Sequence, residues 1–77
     1  MTVNVRFFAS LREQVGQAEA QLDAAGGATA AQVWAQAAGQ SELPPNVVIA
    51  VNQEYARPEQ PVSDGDEVAF FPPVTGG

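Results

Sequence analysis

Asp64-Gly65-Asp66-Glu67-Val68-Ala69-Phe70-Phe71-Pro72-Pro73-Val74-Thr75-Gly76-Gly77 contains a turn, a strand, a brake and a tail. Asp64-Gly65 is a turn signal, because glycine supplies a positive φ without steric cost and aspartate bonds its own backbone. Glu67 to Phe71 alternates, so Val68 and Phe70 point to one face and Phe71 to the other. Pro72 and Pro73 have no N–H to offer a sheet and end the strand. Four residues follow, an extended reach of about 13–14 Å beyond Pro73. The last two carry no side chain, so the end can enter a channel too narrow for a Cβ.

Working back from this stretch, Val3-Asn4-Val5-Arg6-Phe7 alternates in the same way. It predicts a strand with Val3, Val5 and Phe7 inward and Asn4, Arg6 and Phe8 outward. Ser10 to Gly16 predicts a short helical turn, capped by Ser10, with Leu11 and Val15 on one side and Gly16 as its stop. Glu19 to Asp23 is a weaker strand around Ala20 and Leu22. Gly26-Gly27 breaks the chain before the main helix, where Thr29 and Gln32 fit a capping box and Gly39 marks the end. Val33, Trp34, Ala37 and Ala38 share the buried side of that helix, with Trp34 the anchor of the helix–sheet core. Val47 to Asn52 is a run rich in β-branched residues, expected near the middle of a sheet. The order is β, β, α, β, β, which is the β-grasp arrangement of the α+β class. We therefore expect a mixed sheet with one main helix on one face, a domain over residues 1–73, and a flexible tail over 74–77.

In that arrangement the first and last strands are neighbours, so the outward-facing Phe8 and Phe71 meet on the solvent side. Tyr55, just past the third strand, extends the patch. Contiguous exposed aromatics are uncommon on a monomer and serve as interface anchors. Phe8, Tyr55 and Phe71 are the expected partner-binding face.

Composition narrows the chemistry. The chain has 77 residues, and 45% are apolar, but fourteen of these are alanine, so one small core is all it can build. It contains no cysteine and no histidine, which removes disulfides, thiolate metal sites, cysteine nucleophiles and histidine acid–base catalysis. Ser10, Ser41 and Ser63 have no histidine or lysine to activate them. Nine acidic residues against three arginines and no lysine leave a net charge of −6. That charge disfavours nucleic acid and membrane surfaces and favours a basic protein partner. No signal-peptide pattern or membrane span is evident, and a cytoplasmic location is expected. The reactive handle left is the carboxylate of Gly77. A carboxylate becomes a good electrophile when converted to an acyl adenylate, which a sulfur nucleophile can then open to a thiocarboxylate.

Phe7-Phe8-Ala9-Ser10-Leu11-Arg12-Glu13, Ala50-Val51-Asn52-Gln53 and the block from Asp64 to Gly77 resemble the small subunit of molybdopterin synthase, the MoaD family of ubiquitin-like sulfur carriers. The resemblance implies that an adenylating enzyme related to the ubiquitin-activating class uses ATP and Mg²⁺ in trans on Gly77, the chain itself holding no permanent cofactor. A cysteine-desulfurase relay then supplies sulfur. It also implies a heterotetramer of two small and two large subunits, in which the large subunit is catalytic and converts cyclic pyranopterin monophosphate. Pro73, Val74, Thr75, Gly76 and Gly77 match the inserted tail. Three alternatives stand beside this: a carrier for thiazole synthesis or tRNA thiolation, a ubiquitin-like modifier joined to target lysines, and a plain interaction module.

Overall fold

The computed structural model describes residues 2–24, 26, 28–40 and 43–73. Its elements are β1 (Thr2–Phe7), α1 (Ser10–Val15), β2 (Glu19–Asp23), α2 (Ala30–Ala38), β3 (Val48–Val51), β4 (Glu54–Ala56) and β5 (Glu67–Phe71). The sheet order is β2-β1-β5-β3-β4. β1 and β5 run parallel, and the pairs β1–β2, β3–β5 and β3–β4 are antiparallel. This is the mixed β-grasp sheet expected from the sequence, with β5 at its centre.

The predicted inward set of β1 is the buried set: Val3, Val5 and Phe7 are at most 2% exposed. They meet Val68 and Phe70 of β5, Ile49 of β3, and Val33 and Trp34 of α2. Three rings form the centre of this core. Trp34 sits edge-on to Phe7 at 5.8 Å and to Phe70 at 5.1 Å, and Phe7 and Phe70 lie 5.8 Å apart and near parallel. Edge-to-face and offset contacts suit the aromatic quadrupole, so the rings add specificity to plain area burial.

Helix α2 begins as its sequence requires. The Thr29 hydroxyl accepts from the Gln32 N–H and the Gln32 side chain accepts from the Thr29 N–H, closing the capping box. The next amides, of Ala30 and Ala31, donate to the carbonyls of Gln60 and Pro58. The loop between β4 and β5 thus satisfies donors that every helix start leaves open, and it buries Val62 beside α2. Gly39 ends the helix at φ 70. Of the expected Gly26-Gly27 break, Gly27 lies outside the described residues.

The start of β5 is tied down by polar side chains. The Asp66 carboxylate accepts from the Ser63 N–H at 2.7 Å and from the Asn52 side-chain amide at 3.0 Å. Asn52 accepts in turn from the Glu67 N–H at 3.0 Å. Asp64 accepts from the Thr2 N–H at 2.8 Å, and Gly65, at φ 85, donates to the Thr2 carbonyl. The bond from Asn52, then that from Ser63, favours the ionised form of Asp66 and lowers its pKa below the usual 3.8.

Three expectations need correction. Ser10 is not the cap of α1 but its first residue, and Ala9 precedes it with no side-chain capping bond. The reason is a tight turn: Leu11 N–H donates to the Phe8 carbonyl at 3.1 Å, with Ala9 at φ 53, ψ −130. The sheet has five strands, not the four of the expected β, β, α, β, β order. The extra strand is β4, only three residues long, joined to β3 through Asn52-Gln53 with φ 52 and 69. Two successive positive φ angles are what a tight hairpin needs to match strand twist. Finally, β3 is shorter than the apolar run, leaving Val47 and Asn52 outside it.

Candidate functional site

Because side chains alternate along a strand, the face of the sheet away from α2 is set by the residues between the core positions. The β1–β5 register pairs Phe7 with Phe70, which brings the outward Phe8 and Phe71 together. Their rings stack at 4.6 Å with only 9° between planes. Both are half-buried. Val48 lies opposite Phe71 on β3 and continues the apolar row.

Tyr55 stands on β4, paired with Ala50, and is 88% exposed. It shares the outward face with Phe8 and Phe71. Between them lies a groove of about 770 Å³, whose lining includes Phe8, Val48, Ala50, Tyr55, Ala69 and Phe71. The three aromatic residues named from the sequence are therefore brought to one face, around one depression.

Residues that the sequence reasoning did not name complete this face. Ala50 and Ala69 form its floor, 7% and 6% exposed. Arg6 stands at its edge, with its guanidinium carbon 5.2 Å from the Phe8 ring centre. The signal for Arg6 and Ala69 was present, since both occupy outward positions in the alternation that gave Phe8 and Phe71. Ala50 needed the β3–β5 register, which a continuous apolar run does not reveal.

The strand that carries Phe71 leads directly to Pro72 and Pro73. Pro73 is exposed and is the last described residue. Val74, Thr75, Gly76 and Gly77, the rest of the expected tail, lie outside the described residues. Among the described residues no group of three or more acidic side chains is placed to hold a metal ion, and no helix is long and apolar enough to cross a membrane.

A five-stranded mixed sheet in the order 2-1-5-3-4, gripping one main helix and leaving an aromatic outer face beside its last strand, is that of a ubiquitin-like β-grasp protein. Comparison with known proteins makes the assignment narrower. The chain belongs to the ThiS family, whose model matches residues 5–77. It is 42% identical to the molybdopterin synthase sulfur carrier subunit of Escherichia coli (strain K12), an alignment covering 97% of this chain and 99% of that one. Among solved structures it is similar to SAMP1 from Haloferax volcanii, 28% identical with a TM-score of 0.82 over the whole of both chains. It is also similar to a chain in the protein–protein complex of subunits 1 and 2 of molybdopterin-converting factor from Helicobacter pylori 26695. There the identity is 26% and the TM-score 0.66, again over the whole of both chains.

Proposed function

We propose that this protein is the sulfur carrier of a molybdopterin synthase, its small and non-catalytic subunit, and that the carboxylate of Gly77 carries the sulfur. The observation that bears most weight is the family match, which runs through residue 77 and includes relatives named for this role. The residues explain how the work divides. The domain over 1–73 supplies docking through Phe8, Tyr55 and Phe71, and residues 74–77 supply delivery.

The chemistry proceeds in the terminal carboxylate. Its oxygen attacks the α-phosphorus of ATP on an adenylating enzyme of the ubiquitin-activating type, with Mg²⁺ and ATP held by that enzyme, and pyrophosphate leaves. The terminal sulfur of a persulfide on a desulfurase relay displaces AMP to give an acyl disulfide. A second thiol then attacks the relay cysteine's sulfur, forming a disulfide with it and releasing the thiocarboxylate. Pro73, Val74, Thr75, Gly76 and Gly77 then enter the large subunit, where the sulfur passes to cyclic pyranopterin monophosphate and the carboxylate is regenerated. Two small and two large subunits make the assembly. The absence of cysteine suits this role, because no side chain of the carrier competes for the sulfur.

Extending the chain by one residue after Gly77 tests the proposal in a reconstituted synthase. The extended carrier should still bind the large subunit through its sheet face, yet support no product formation. Product formation at the normal rate would refute it. The similarity to SAMP1, named small archaeal modifier protein 1 in related structures, favours one second reading, in which Gly77 joins lysines of target proteins. Isopeptide-linked adducts in cells would be its mark.

A further inference from the structure

The register orders the outer face into rows. One row crosses the whole sheet: Glu19 pairs with Arg6, Arg6 with Ala69, Ala69 with Ala50, and Ala50 with Tyr55. The row beside it holds Phe8, Phe71 and Val48. Alanine has nothing beyond Cβ, so the first row sinks in its middle. The result is a trough with Arg6 at one end and Glu67 of β5 beside it, the Tyr55 phenol at the other end, and an aromatic wall.

We propose that this trough receives a segment of the large-subunit partner that sets an apolar side chain over Ala50 and Ala69 and a carboxylate against Arg6, making Arg6 the residue that discriminates among partners. The inference rests on the docking role proposed above and adds to it the chemistry of the occupant.

Three observations carry it. Arg6 is the cation of this face: Arg12 lies on α1 and Arg57 follows β4, neither lining the groove. Its guanidinium is held near the Phe8 ring, and such a contact leaves the in-plane N–H donors free for a planar acceptor. Its existing partner is weak, since the Arg6 Nε to Glu19 Oε1 separation is 3.8 Å, too long for a hydrogen bond, and Glu19 is 72% exposed. An ion pair so exposed exchanges readily with solvent or with a better acceptor.

Docking on the aromatic row removes water from Arg6. A wholly apolar partner surface would strand the guanidinium without acceptors, which is costly. A carboxylate satisfies it with two parallel bonds. The chain as a whole carries a charge of −6 and attracts basic surfaces, so an acid at this one place is a local inversion of the charge match. Such an inversion rejects surfaces that are merely basic or merely apolar.

The test is titration calorimetry of the full chain against the purified large subunit from the same organism. Arg6→Met keeps the unbranched stem and removes the charge, Arg6→Glu reverses it, and Phe71→Ala is the control for docking. We expect Arg6→Met to weaken binding about 10-fold or more and Arg6→Glu about 100-fold or more, with melting temperatures unchanged. One Asp→Lys or Glu→Lys substitution on the large subunit should restore Arg6→Glu binding and weaken the wild type. Wild-type affinity in Arg6→Met, or no such restoring substitution, overturns the proposal. If Phe71→Ala still weakens binding in that case, docking on this face stands and only the role of Arg6 falls. If Phe71→Ala also binds normally, the docking face itself is wrong.

Discussion

Replacing Phe70 or Phe71 with alanine deletes the same side chain from adjacent positions of one strand, and the two variants should fail in different ways. Phe70 is fully buried, in ring contact with Phe7 and Trp34. Deleting a buried phenylalanine costs about 3–5 kcal/mol. A 77-residue domain has roughly 4–12 kcal/mol of stability at the usual 0.05–0.15 kcal/mol per residue. Phe70→Ala therefore removes roughly a quarter or more of the total, and at about 4–8 °C per kcal/mol its melting temperature should fall by roughly 12–40 °C. Phe71 is half-buried and has one ring partner, Phe8 at 4.6 Å. Losing such a stack costs about 1 kcal/mol, a fall of roughly 4–8 °C. Its larger effect should be on association, where an anchor of this kind is worth about 2 kcal/mol or more, a loss of roughly 30-fold. Thermal unfolding by circular dichroism and calorimetric titration with the large subunit separate the two effects. Equal destabilisation by the two substitutions would show that Phe71 is a core residue and that the outer face is misread.

Ala9 holds φ 53 and ψ −130, a region that favours glycine. Ala9→Gly should therefore raise stability by about 1 kcal/mol, read as a higher urea midpoint, despite glycine's greater entropy when unfolded. Asp66 has a folded pKa below the usual 3.8, so its stabilisation is complete above that value and is lost as pH falls through the folded pKa. The stability gap between wild type and Asp66→Asn, measured by urea unfolding, should be widest near neutral pH and close as acid protonates the carboxylate.

What the sequence disclosed follows from which signals are local. The alternation in Val3 to Phe7 and Glu67 to Phe71 is a property of single strands, so the buried faces and the Phe8–Phe71 pair were legible once the two strands were set side by side. The capping box of Thr29 and Gln32 and the terminal Gly39 are likewise local patterns, and α2 begins and ends where they place it. Strand β4 was not legible. Glu54-Tyr55-Ala56 is too short to show a period, and its hairpin uses Asn52-Gln53 where Asn-Gly would have announced the turn. The misassigned cap has the same origin: serine is a common cap, but the strained turn at Ala9 moves the boundary back by one residue. The trough was hidden for another reason. Alanine at positions 50 and 69 reads as unremarkable filler in sequence, and it becomes a floor only when the register aligns both between Arg6 and Tyr55.

In the proposed cycle, sulfur rides on the carboxylate of Gly77. Intact-mass spectrometry after incubation with the adenylating enzyme, ATP, Mg²⁺ and a persulfide donor addresses it directly, with fragmentation to place any change along the chain. Charging should replace one oxygen by one sulfur, located on Gly77, and should depend on ATP. An unchanged mass under conditions that charge the Escherichia coli carrier, or sulfur found elsewhere on the chain, would contradict it.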